Sequence, residues 1–233
     1  MQLNKYSPNI SSKLFGIFFI FAFISYGLGS ELINTLLTSS NPLINIFNNK
    51  NQVVFSIILM ALVHSFVNIG AALTISVFLK PFNKRVAHAY IYAVLISTTF
   101  LIVGALFLIL LIPLSEQYVQ ADFSVTSHFD TINALLQKGY FYSYQIGMNI
   151  WGLGGLFLCY LLSLSKLVPS KLIILGFVGY VIFIIGTILE LFGYEVGLIF
   201  SIPGGLFEIL LSIYVIIKGF NIKEKNDIRT PCL

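Results

Sequence analysis

A single acid, Glu208, interrupts the apolar stretch GLIFSIPGGLFEILLSIYVII, and a carboxyl group in such surroundings needs hydrogen-bond partners or a ligand. On a helix, steps of three and four residues from Glu208 meet Ser212 on one side and Gly205, Gly204, Ser201 and Gly197 on the other. A second helix can approach closely along such a stripe of small and hydroxylated residues, which turns Glu208 inward. Pro203 removes a backbone donor and, with Gly204 and Gly205, predicts a kink near the middle of this helix. The carbonyl freed there must find a neighbour, water or a ligand.

His64 and Asn68 form a second polar pair one helical turn apart, with Ala61, Ser65, Ala71 and Ala72 widening the same small face. An imidazole and a carboxyl at similar depth on two inward stripes predict a shared hydrogen bond, which lowers the cost of burying either group. Further polar stripes run through Gln145, Asn149 and Gly152, through Gly179, Gly186 and Glu190, and through Gly27, Glu31 and Asn34. The candidate ligand-binding set is therefore Glu208, His64, Asn68, Asn149, Glu190 and Glu31.

The chemistry that needs a fixed motif is missing. There is no G-x-S-x-G elbow, H-E-x-x-H pair, phosphate-gripping glycine loop or cysteine cluster, so no metal site, nucleotide site or other cofactor is predicted. His64 near mid-span, His88 at a span's end and His128 in a loop do not flank one haem. Cys159 falls within an apolar run and Cys232 near the end of the sequence, so a disulfide between them is not expected. The net charge of +4 is scattered among short connections instead of gathered in a patch, which argues against nucleic acid as a partner.

The elements that must position these groups follow from composition. Of 233 residues 58% are hydrophobic and 9% charged, against roughly a quarter charged in a soluble domain. Six runs reach the roughly 20 residues needed to cross a bilayer: Leu14 to Leu37, Val53 to Leu79, Ala89 to Pro113, Tyr144 to Leu164, Leu172 to Phe192 and Val196 to Ile217. None alternates as a barrel strand does, so an all-α bundle of six transmembrane helices, forming one integral membrane domain, is predicted. The first run is longer than a signal peptide's apolar part and lacks a small-residue cleavage site, which marks it as a retained helix. No repeat relates the first three runs to the last three.

The bases sort by connection. Lys5, Lys13, Lys80, Lys84, Arg85, Lys166, Lys171, Lys218, Lys223, Lys225 and Arg229 fall on one side, and only Lys50 and Lys138 on the other. By the positive-inside rule both termini, including the tail 218–233, are predicted on the cytoplasmic face of the cell membrane. The long connection 114–143 then lies outside. Ser127 with Asp130 makes a capping-box start and Gly139 a stop, predicting a short interfacial helix there, followed by the aromatic group Tyr140, Phe141, Tyr142 and Tyr144. In this orientation Glu31, Asn149 and Glu190 occupy the outer halves of their helices, so the polar interior opens outward.

The run WGLGGLFLCYLLSLSKLVPSKLIILGFVGYVIFIIG, followed by PGGLFEILLSIYVIIKGF, resembles the second half of the DUF4386 family of bacterial multi-pass membrane proteins. The shared features are a Gly-rich fourth span, a short Ser, Lys and Pro turn, the Leu175-Gly176 pair, and Glu208 ten residues before Lys218-Gly219. The resemblance is clearest over Trp151 to Phe220 and weaker from Leu79 to Gly104. Relatives carry charges early in the third span, where this chain has Tyr90, Ile91 and Tyr92. The resemblance implies a six-span fold and points to Glu208, and it implies no activity.

The function expected from these residues is a non-enzymatic bundle that holds or passes a small or lipid-like ligand, for which a homodimer is needed in many designs. Two other readings stay open. One is an intramembrane lipid-modifying enzyme using Glu208 or Glu190 with His64 as acid and base. The other is a non-catalytic membrane subunit that docks partners through its outer loop.

Overall fold

A backbone amide within a long apolar run has acceptors only in its own segment, and the helix supplies them. The computed structural model describes residues 8–121 and 126–221, and helices make up nearly all of it. Lys5, Lys223, Lys225, Arg229 and Cys232, named above, lie outside the described residues. The order is α1 (Pro8–Leu37), α2 (Pro42–Asn48), α3 (Lys50–Ile57), a π-helical turn (Ile58–Val63) and α4 (His64–Leu79). There follow α5 (Lys84–Ile109), α6 (Leu111–Gln120), α7 (Thr126–Ser165), α8 (Ser170–Leu191), a 3₁₀ turn (Gly197–Phe200) and α9 (Ile202–Lys218). Among the described residues there is no strand.

Five helical stretches are long and apolar enough to cross a membrane: Ile10–Leu37, Lys50–Leu79, Lys84–Gln120, Ser127–Ser165 and Ser170–Leu191. The outer surface of the bundle is apolar to match, with Phe66, Val77, Leu135 and Ile174 among its exposed side chains. The sixth run is shorter than expected. Its helix, α9, has 17 residues, about 25 Å of rise.

Three expectations are corrected here. The expected span from Val196 does not start there, because Gly193 and Gly197 take left-handed φ values of 88° and 59° and turn the chain first. Pro203 falls in the first turn of α9, where a missing N–H leaves no hydrogen bond broken, so the expected interior kink at Pro203, Gly204 and Gly205 is a helix start. Nor does Gly139 end a separate interfacial helix, since α7 runs unbroken for 40 residues. A Cβ on Gly139 would lie 2.7 Å from the Phe107 ring, so this glycine serves close packing of α7 on α5. Gly147 against Phe100 and Gly154 against Ala93 continue the same seam.

The helices close a ring in which α1 packs on α4, α4 on α5, α5 on α7, α7 on α8, α8 on α9 and α9 back on α1. One end carries the start of α1 and the finish of α9, with Phe15 and Phe220 ring centroids 6.0 Å apart. Phe78, at the close of α4, meets the same Phe220 at 5.1 Å, and Asn221 N–H donates to the Leu167 carbonyl just past α7. A large core including Phe15, Ile75, Leu158, Phe207 and Leu211 fills this terminal end. A smaller core of Ile33, Ile46, Leu108 and Leu111 fills the far end, where Lys50 Nζ and Glu116 Oε1 join α3 to α6. Between the two cores the ring is hollow.

Candidate functional site

The hollow is a cavity of about 800 Å³ lined by residues of all six helices of the ring. From α7 it takes Tyr144, Met148 and Trp151, a four-and-three spacing that places all three on one face. From α8 come Tyr180 and Phe183, from α5 Ser97 and Leu101, and from α9 Gly204, Gly205 and Glu208. Glu208 thus faces inward, as its stripe predicts.

Glu208 is held by two aromatic donors. Trp151 Nε1–H donates to its Oε1 at 2.9 Å and Tyr180 O–H to the same oxygen at 2.8 Å. Oε2 has no hydrogen-bond partner among the described residues, and the carboxyl forms part of the cavity wall. Tyr180 is pinned in turn by Gly155, since a Cβ there would come within 2.3 Å of its ring, and by Phe207, whose centroid is 5.7 Å away. Ser212 donates to the Glu208 carbonyl at 2.8 Å, so its hydroxyl stays within its own helix.

His64 lines the same cavity but does not bond to Glu208, contrary to the expected pairing. Its Nδ1 lies 2.9 Å from the Ala22 carbonyl, which can only accept, so Nδ1 carries the hydrogen. Nε2 then accepts from the Asn68 amide at 2.7 Å. Both ring nitrogens are occupied. The π-helical turn immediately before His64 inserts an extra residue into the helix and so sets the direction from which His64 and Asn68 leave the backbone. Tyr26 stacks on Tyr144 at 5.7 Å and stands edge-on to His64 at 5.0 Å, extending the aromatic wall from Glu208 toward the far end.

Glu31 and Asn34 line the cavity where α1 approaches its end. The other two candidates are absent from the wall. Asn149 donates to Thr187 Oγ1 at 2.9 Å and to the Ile184 carbonyl at 3.3 Å, tying α7 to α8. Glu190 accepts from the Val196 and Gly197 amides at 3.0 and 2.8 Å and so fixes the turn ahead of α9. Trp151 and Tyr180, which carry Glu208, escaped the sequence reading, although Trp151 is the single tryptophan and shares a stripe with Tyr144 and Met148.

The seam between α1 and α9 is tight at the terminal end, where a Cβ on Gly16 would lie 2.8 Å from the Ser212 carbonyl. Seven residues further along each helix, Gly205 meets only the ring of Phe23, at 3.6 Å. Beyond that, Gly27 has nothing within 4 Å of its Cβ position. Packing along the seam therefore loosens away from the terminal end, and the cavity reaches the outside of the bundle there, past the exposed side chains of Phe23, Ile202 and Leu206.

An all-helical chain with five helices long and apolar enough to cross a membrane, arranged around a cavity with Glu208 in its wall, defines the class as a helical membrane protein. The chain belongs to the DUF4386 family, described as a domain of unknown function, whose model matches residues 14–219. No curated protein and no solved structure is recognisably similar to it.

Proposed function

We propose that the protein crosses the cell membrane six times, with both ends cytoplasmic, and holds a small or lipid-like ligand in the central cavity. The observation that carries this reading is the cavity of about 800 Å³ with Glu208 set in its wall by Trp151 and Tyr180. That volume lies within the usual 300–1,000 Å³ range of ligand sites, as does its make-up of apolar walls with few convergent polar groups. A carboxyl group here is costly unless a function retains it.

The crossing count rests on α9. At about 25 Å of rise it falls slightly short of a 30 Å hydrocarbon layer, and the 3₁₀ turn before it supplies the remaining depth. The orientation rests on charge, since Lys80, Lys84, Lys166 and Lys218 gather at the terminal end while Lys50 and Lys138 belong to the far end. In this orientation Glu31 and Asn34 stand at an outward mouth, and the loosely packed part of the α1–α9 seam gives bilayer molecules a side entrance to the outer half. Binding is favoured over acid–base catalysis because His64 spends both nitrogens on Ala22 and Asn68 and Glu208 lies outside its hydrogen bonds.

The test is native mass spectrometry of the protein purified in mild detergent. The wild type is expected to retain an added mass that Glu208→Gln loses, while the variant keeps its helix content and melting temperature, because the amide preserves shape and hydrogen bonding. An identical added mass on both proteins, or none on either after a lipid and metabolite screen, overturns the reading.

A further inference from the structure

We propose that the cavity is built for a lipophilic organic cation, its charged head at Glu208 and its apolar part toward the α1–α9 seam; this rests on the cavity-binding reading above. The first argument is charge. Among the described residues the wall contains two acids, Glu208 and Glu31, and neither lysine nor arginine. His64 adds no positive charge in the form that donates from Nδ1 to a carbonyl and accepts at Nε2 from an amide. An anionic head group would meet two carboxyls in a medium of low dielectric with no counter-charge, whereas a cation supplies the charge the site lacks.

The second argument is geometric. Both protein donors fall on Glu208 Oε1, and Oε2 is left for a ligand. The rings of Phe19, Tyr26, Tyr144, Trp151 and Tyr180 line the same cavity as this carboxyl. Aromatic faces backed by a carboxylate are the arrangement that takes ammonium groups, because the ring quadrupole is negative over its face. The third argument is the apolar part of the wall. Ala22, Leu101, Phe183, Leu206 and Ile209 offer nothing polar to a head group, but they suit an alkyl or aryl portion of the ligand that reaches the seam.

Trp151 is the only tryptophan in the chain, so its fluorescence reports on this site without labelling. The experiment titrates the full-length protein in digitonin micelles with three probes sharing a twelve-carbon chain: dodecyltrimethylammonium, dodecanoate and dodecanol. A saturable change in Trp151 emission is expected for the ammonium probe, at least about ten-fold tighter than for the other two, the size that one charge-assisted contact gives. In Glu208→Gln that preference is expected to vanish, and in Glu31→Gln to shrink. Saturable binding of dodecanoate or dodecanol as tight as that of the ammonium overturns the cation inference while leaving the binding cavity standing. Failure of all three to saturate overturns both. The wild-type comparison requires no variant, so it decides the matter even if Glu208→Gln does not fold.

Discussion

The unit on which the site depends is three side chains, Glu208, Trp151 and Tyr180, from three helices. Removing one donor while keeping its ring isolates that unit. Tyr180→Phe retains the contact with Phe207 and deletes the 2.8 Å bond to Glu208, so a loss of about 1–3 kcal/mol is expected in chemical unfolding in detergent. Gly155→Ala pushes on the same ring from behind and should cost more, because the ring itself must move. A Tyr180→Phe protein as stable as the wild type would mean that Glu208 takes its second bond elsewhere. Glu208, His64, Asn68 and Glu31 were legible in the sequence as cavity residues, since a polar group in an apolar run stands out. Trp151 and Tyr180 were not, because an aromatic residue in such a run looks like packing until its N–H or O–H is seen to meet an acceptor.

Between helices, the glycines explain why two polar stripes face neighbouring helices and not the hollow. On α7 the stripe of Asn149 and Gly152 faces α8, and the cavity lies about one residue's rotation away, at Tyr144, Met148 and Trp151. On α8, Gly179 and Gly186 face Gly204 and Phe200, while Tyr180 and Phe183 face the hollow. Small residues mark where backbones touch, and large rings mark where they do not. Gly179→Ala tests this, since the new methyl would lie 2.7 Å from the Gly204 backbone nitrogen and no side chain can swing aside to relieve it. A melting temperature several degrees lower is expected, together with weakened ligand retention as α9 shifts and carries Glu208 with it. Gly27→Ala, at a position with nothing within 4 Å, is expected to leave the melting temperature unchanged and serves as the control. The continuous α7 was illegible for a related reason, as Gly139 carries a helix-stop signal in sequence and a packing role in the fold.

For the whole molecule the first question is which way the ring faces. Cys159 is buried, so replacing Cys232 alone clears the background for a labelling test. A membrane-impermeant maleimide added to intact cells is expected to modify Lys50→Cys and spare Lys84→Cys; the reverse pattern would turn the cavity mouth to the cytoplasm, and labelling of both would reject the crossing pattern. Helical class and the outline of the spans were readable from run lengths, because hydrocarbon permits few alternatives. The ring order was not, since no periodicity in a single helix states which neighbours it chooses. That order has a bearing on biogenesis. Among the described helices α9 comes after the other five of the ring in chain order, it bears Glu208, and it closes the circle against the first. During translation the indole of Trp151 and the phenol of Tyr180 reach the bilayer before the carboxyl they bind. In the six-crossing arrangement proposed above, the five earlier ring helices would present those donors to a segment that brings a carboxyl into lipid.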